Sequence, residues 1–414
     1  MFLQIVNYCL FFLAFTLLLC RWDARAVFLG IGLVVFAVNG DFLVGTKVFQ
    51  DSLVIAPVLA VICSSIGFSH AVTASGCDKD LVTILLKPLS KLGFSLLPLT
   101  IALAFILSFA LVSSTAVAAA LGAPLIPLLV RHGIRPVTAS AAILVGSFGA
   151  ALNPSCSMNV LVSLVTGNNV LTVSANLTRS TLIVLGWIIF IFCLQCYLLK
   201  DVHTNKQMSS KTTDRTNCLS AIAPFIPAII FLFFSICAPQ YKVGISESML
   251  IGVLYILFCK KKENVMQIFS SFFKGMGVGY ADVYGITIAA FVFVAALSYI
   301  GLISGLTKLV IENSDALRVS ASLTTFLISA VSGSNDAVTY AVNQSIYPLM
   351  NLLHLDALTE TTLVAQAGQL GRLLSPFSGA ALVISKIAGI NPICLLKRTS
   401  IPILSSLVVL LFIR

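Results

Sequence analysis

The segment GQLGRLLSPFSG, Gly368 to Gly379, sets an arginine, a proline, two serines and three glycines inside sequence that is apolar from Thr361 through Gly389. Arg372 is the only basic residue that the apolar pattern places in mid-membrane. An arginine at that depth is costly without a partner, and its planar fork suits a carboxylate. Three readings stand: Arg372 binds the carboxylate of a ligand, it pairs with Asp336 and holds structure, or it faces the cytoplasm or lipid and has been placed too deep. Ser375 and Ser378 add hydroxyls beside it. A second stretch repeats the pattern: Gly146, Gly149, Pro154 and Gly167 fall on Gly368, Gly371, Pro376 and Gly389 at an offset of 222 residues. Glycine and proline there break a helix. Half-helix N-termini present free N–H groups and positive dipole ends, and C-termini present carbonyls, so paired breaks suit an anion beside a small cation.

The elements that must position these residues follow from hydropathy. A mean hydropathy of +1.05, 58% hydrophobic and 10% charged residues describe an all-α polytopic membrane protein. The net charge of +10 sits in short loops and forms no basic face, which excludes a nucleic-acid partner and leaves charge to orient the chain. The eleven cysteines lie mostly in apolar runs and read as packing residues, not as disulfides. No HEXXH, GxSxG or phosphate-loop motif occurs, so the chain does not read as an enzyme. Phe2 to Cys20 reads as a retained first span, since its charges follow it.

The long polar segment 200–217 divides the chain into 1–199 and 218–414, read as two inverted-topology repeats with a cytoplasmic linker. Spans are expected near 3–20, 26–40, 52–75, 138–166 and 179–199, then near 218–239, 246–260, 274–301, 358–388 and 401–414. Five crossings per half invert the second copy, and the Lys/Arg bias puts both termini outside. Two further segments, about 95–130 and 317–351, are apolar but broken at "SST" and "SND". They are read as re-entrant helical hairpins, and 138–166 and 358–388 as discontinuous helices. Irregular backbone at membrane depth survives only where it is buried in protein or lines a wet cavity.

The candidate binding residues are therefore Ser113, Ser114 and Thr115 at one tip, Ser334 and Asn335 at the other, Asn153 and Ser155 at the first break, and Arg372, Ser375 and Ser378 at the second. Asp336, with Ser332 and Asn159, is the candidate cation or proton site, sodium being the candidate metal. Capping of its own helix is the plainer role for Asp336. Asp282, in GYADVYG, reads either as a proton relay or as an interfacial residue.

The stretch AQAGQLGRLLSPFSGAALVISKIAGINPICLLKRTSIP, from Ala365, resembles the C-terminal signature of the DcuC family of anaerobic C4-dicarboxylate carriers. Two hairpins and two broken helices also resemble the wider ion-transporter superfamily, including divalent-anion/sodium symporters. Tips there often read Ser-Asn-Thr, whereas here they read Ser113-Ser114-Thr115 and Ser334-Asn335-Asp336. The resemblance implies a homodimer with elevator-like transport domains in a bacterial inner membrane, carrying succinate, fumarate or malate by antiport or cation coupling. The alternative is a sodium/proton antiporter or another organic-anion carrier of the same superfamily.

Overall fold

The computed structural model describes residues 2–20, 22–86, 96–201, 218–241, 243–259, 265–301, 314–353, 355–376 and 378–413. Nearly all of the linker, residues 202–217, lies outside the described residues. Among those described, every regular element is a helix. Six helices are long and apolar enough to cross a membrane, or up to eight if each of two bent pairs counts as one span. The protein is a polytopic membrane protein. Its surface agrees: Leu43, Phe258 and Phe412 are each at least 80% exposed, while Ser108, Thr138, Asn159, Ser329 and Asn343 are fully buried. Apolar outside and small polar residues inside is the arrangement that a lipid solvent rewards.

Both broken segments form hairpins. Leu96–Leu111 and Ser114–Arg131 are joined through Val112 and Ser113. Ser314–Ser332 and Asp336–Leu352 are joined through residues 333–335. The first discontinuous helix comprises Pro136–Gly146, a 3-10 turn at Gly149–Leu152, and Ser157–Thr166. The second comprises Ala357–Leu374 and Gly379–Ala388. Pro154 and Pro376 each fall in a break. The backbone matches at equivalent positions: Cys156 has φ −66° and ψ 132°, Ser378 has φ −63° and ψ 145°. Gly167 and Gly389 close the two second halves with φ of 70° and 66°.

Each hairpin lies against the broken helix that follows it, and glycine permits the approach. A Cβ on Gly149 would stand 2.0 Å from the Phe105 carbonyl oxygen, and one on Gly371 would stand 2.2 Å from that of Phe326. Phe105 and Phe326 are themselves 221 residues apart, the offset that relates the hairpins. The same offset relates Val112, with φ 59°, to Gly333, with φ 71°. A left-handed residue therefore turns each tip, and in one hairpin a β-branched side chain carries that conformation, at a cost of roughly 1–2 kcal/mol. Gly333→Ala is expected to lower stability by about 1 kcal/mol through backbone conformation alone. A melting curve no lower than that of the parent protein would contradict this.

Three expected features come out differently. Phe42–Ser52, between two expected spans, is a helix that folds back. Tyr299 reaches Asp41 at one of its ends, while Tyr284 donates to the Ser52 carbonyl at 2.9 Å and accepts from the Ile55 N–H at 2.7 Å near the other. The expected span 274–301 belongs to a longer helical run, Val265–Tyr299, whose middle turn at Gly279–Tyr284 is a π-helix. Span 52–75 continues, after a 73° bend at Gly76, into Cys77–Leu86.

The loop charges converge as well. Asp201 is fully buried and bonded to Arg398 at 2.5 Å, Arg135 at 3.1 Å and the Thr138 hydroxyl at 2.9 Å. Three polar junctions far apart in the chain, at Arg135, Asp201 and Arg398, thus meet at one place in the fold. At the base of the second hairpin Arg318 forks onto Glu360, with Nε 2.9 and 3.1 Å from the two carboxylate oxygens.

Candidate functional site

Each break is held open by side chains that replace lost helical bonds. In the first, Asn153 donates to the Phe109 carbonyl at 2.7 Å and accepts from the Ser155 N–H at 2.8 Å. Asn159 donates to the carbonyls of Ala151 and Asn153, both at 2.8 Å, and so spans the gap from its far side. Its own carbonyl oxygen is buried without a partner among the described residues. Ser108, from the hairpin, donates to the Ser147 carbonyl at 2.9 Å and accepts from the Ala150 N–H at 3.2 Å. In the second break, Ser378 donates to the Ser375 carbonyl at 3.1 Å and caps Ala381 at 3.4 Å. The Ser375 N–H bonds back to Gly371 at 3.1 Å.

The tips close on themselves. Ser113 accepts from the Ala116 N–H at 3.3 Å as an N-cap. Ser332 donates to the Ser334 carbonyl at 3.2 Å and accepts from the Ser334 N–H at 3.3 Å. Asn335 is buried, and its side-chain oxygen accepts from the Thr339 hydroxyl at 2.7 Å. The same oxygen sits against Gly368, where a Cβ would come within 2.3 Å of it.

The tips then cross to the opposite half. Arg372, in the second broken helix, donates through Nη1 to the Ser114 hydroxyl of the first hairpin at 2.9 Å. Thr115 stands beside Gly379, its hydroxyl 2.8 Å from where a Cβ would be. Conversely, the Ser157 hydroxyl of the first broken helix donates to Asp336 of the second hairpin at 2.5 Å. Thr115 with Gly379 and Asp336 with Ser157 occupy equivalent places at offsets of 221 and 222 residues. Of the candidate residues, Ser114, Thr115, Arg372 and Asp336 thus meet the opposite half at two polar contacts, one at each crossing of a tip with a break, and the others bond within their own half.

Among the described residues no ion pair joins Arg372 to Asp336. Arg372 Nε is buried with no hydrogen-bond partner. A guanidinium carries five donors, and the Ser114 hydroxyl satisfies one of them with a neutral acceptor. What the arrangement can do chemically is accept an anion: a fork with spare donors, flanked by hydroxyls, beside the N-terminus of Gly379–Ala388.

Asp282 does not join this group. It is exposed and paired with Arg25 at 3.1 Å. Arg25 also binds Asp23, and that hydrogen bond holds the Asp23 carboxyl below the usual carboxylate range. Three polar contributors went unanticipated from sequence: Ser108, which stitches hairpin to break, the Arg318–Glu360 pair, and Gln366, which donates to Thr181 at 2.5 Å. Arg318 and Glu360 were visible as charges in apolar segments; Ser108 and Gln366 carried no signal beyond polarity.

The family described as "DcuC: C4-dicarboxylate anaerobic carrier" matches residues 44–413. The anaerobic C4-dicarboxylate transporter DcuC of Escherichia coli (strain K12) is 29% identical over 358 residues, covering 83% of this chain and 77% of that protein. DcuC of Shigella flexneri matches to the same extent, 29% over 358 residues. An uncharacterized transporter of Haemophilus influenzae is 32% identical over 212 residues, covering 50% of this chain and 74% of that protein. The DcuC family is made up of transporters and not of enzymes. This chain belongs to the DcuC family.

Proposed function

We propose that the protein is a secondary active transporter of C4-dicarboxylates such as succinate, fumarate or malate. The observation that carries this reading is Arg372, bonded to Ser114 at the crossing of tip and break, with its Nε buried and unpartnered. One carboxylate of the substrate lies on the Arg372 fork, with Ser113, Ser114 and Thr115 as further donors, while Ser378, whose hydroxyl is donated to the Ser375 carbonyl, shapes the break beside them. Asn153, Ser155, Ser334, Asn335 and Ser375 keep the neighbouring backbone irregular and polar. Such a site costs free energy when empty and regains it when a carboxylate restores the missing partners.

In this reading the halves 1–199 and 218–414 are inverted repeats of five crossings, each with one re-entrant hairpin, and the matched backbone at breaks and tips supports it. Alternating access is elevator-like, with the hairpins and broken helices moving as a body in a homodimer. The chain sits among the lipids of a bacterial inner membrane, both termini outside and the linker cytoplasmic. Transport is driven by antiport or by a cation, sodium or proton, at Asp336, Ser332 and Asn159.

Counterflow in proteoliposomes tests the cargo. Vesicles preloaded with unlabelled succinate are expected to draw labelled succinate or fumarate inward above the level of protein-free vesicles. No such accumulation, with or without a sodium or proton gradient, would remove the assignment.

A further inference from the structure

The two crossings are alike in backbone and unlike in charge. At one, Thr115 faces Gly379 next to Arg372; at the other, Asp336 faces Ser157, with 2.5 Å between the Asp336 carboxylate and the Ser157 hydroxyl. Gly379 opens the ten-residue helix Gly379–Ala388, and Ser157 opens the ten-residue helix Ser157–Thr166. Both crossings thus offer a seat for a carboxylate, and the protein's own carboxylate already occupies the second. Among the described residues the first seat has no internal anion, and its arginine has an unused, buried donor.

We propose that Asp336 is the specificity and coupling residue of this transporter: the second carboxylate of a dianionic substrate enters beside Ser157 only when Asp336 binds a proton. The inference rests on the dicarboxylate reading of the Arg372 seat. Two carboxylates cannot share a site with both ionised, because like charges a few ångströms apart repel by several kcal/mol at low dielectric. Protonated Asp336 becomes a hydrogen-bond donor to the incoming carboxylate. One proton, taken from the side on which substrate binds, stays on Asp336 while the dianion is bound and leaves after the dianion departs. No covalent bond changes.

The surroundings favour Asp336 over other groups for this role. Ser157–Thr166 packs against both Asp336–Leu352 and Ala357–Leu374, the helix that carries Arg372, so the two seats lie on mutually packed elements. On the second broken helix the charged groups are Arg372, bonded to Ser114, Glu360, which is paired with Arg318 of the hairpin's other arm, and Lys386, in the last turn of Gly379–Ala388 and so at the far end of that helix from the crossing. Arg318 lies fourteen residues before Ser332, about 20 Å along that helix. The helix Gly285–Tyr299 contributes Tyr299, which is bound to Asp41. Asp336 is thus the carboxylate at the crossing that is not already neutralised by a basic partner among the described residues.

The experiment measures succinate binding to the purified protein from about pH 6.5 to 8.5, above the ordinary carboxylate range, so that succinate stays a dianion. Proton uptake on mixing is followed with a pH dye in weak buffer. The wild-type protein is expected to take up about one proton per succinate bound, with affinity falling up to tenfold per pH unit. The sign follows from linkage: the bound state holds the extra proton, so raising pH opposes binding. Asp336→Asn and Asp336→Thr, the latter copying Thr115, are expected to bind without proton uptake and with an affinity flat in pH. Wild-type binding without proton uptake overturns the proposal and needs no variant. Equal uptake by wild type and Asp336→Asn overturns it too, while leaving the dicarboxylate reading intact. Failure of the wild type to bind succinate at any pH removes that reading and this proposal together.

Discussion

Replacing Gly371 by alanine is expected to prevent the second hairpin from docking on its broken helix. The new Cβ would lie 2.2 Å from the Phe326 carbonyl oxygen, 2.9 Å from its carbon and 3.0 Å from Cα. All three are backbone atoms of a packed helix and cannot swing away as a side-chain end would. Alanine ordinarily gains about 1 kcal/mol over glycine within a helix, but parting two packed helices by an ångström or more costs about 3 kcal/mol or more through lost contacts and strain. The clash wins. Gly149→Ala, with 2.0 Å to the Phe105 carbonyl, is expected to do the same in the first half. Gly186, in the helix Val170–Leu198, has nothing within 4 Å of its Cβ position, so Gly186→Ala should melt at or above the temperature of the parent. Thermal unfolding of the three variants in one detergent checks the set, and a Gly371→Ala protein that melts with Gly186→Ala would refute the packing argument.

Those glycines were legible in the sequence because their spacing repeats and because no apolar span needs them. The same holds for Pro154, Pro376 and the two tips, whose polar residues interrupt runs that would otherwise stay apolar. What the sequence withheld is which tip meets which break. Hydropathy orders elements along the chain but gives no partner, and the alternative reading in which Asp336 pairs with Arg372 joined two residues of the same half. The fold instead sends each tip to the opposite half, Ser114 to Arg372 and Asp336 to Ser157. The return helix Phe42–Ser52 was missed for a different reason. At eleven residues it is too short for a hydropathy window, although the turn at Gly40, with φ 89°, marks where the chain reverses.

Arg372 should show opposite signs in stability and in transport. Among the described residues its Nε is buried without an acceptor and its Nη1 donates to a neutral hydroxyl. Removing an incompletely compensated charge from the interior relieves a desolvation cost, so Arg372→Leu is expected to melt at or above the wild-type temperature. Binding has the reverse dependence. Loss of a desolvated, charge-assisted fork costs about 2–4 kcal/mol, or roughly 30- to 1000-fold in affinity for a carboxylate. Arg372→Lys keeps the charge but loses the planar fork, and should fall between wild type and leucine. Ser114→Ala removes a bond from the guanidinium to a neutral acceptor but leaves the fork that the carboxylate would use, and should cost less than about tenfold in affinity. A structural tie predicts another pattern: Arg372→Leu and Ser114→Ala would both lower the melting temperature, and succinate affinity would follow stability. A sodium/proton exchanger predicts a third, in which ion exchange survives in Arg372→Leu. Melting temperature, labelled-succinate binding and ion exchange, measured on the wild type and these three variants, separate the outcomes, and wild-type affinity in a stable Arg372→Leu protein would take the substrate's carboxylate away from this arginine.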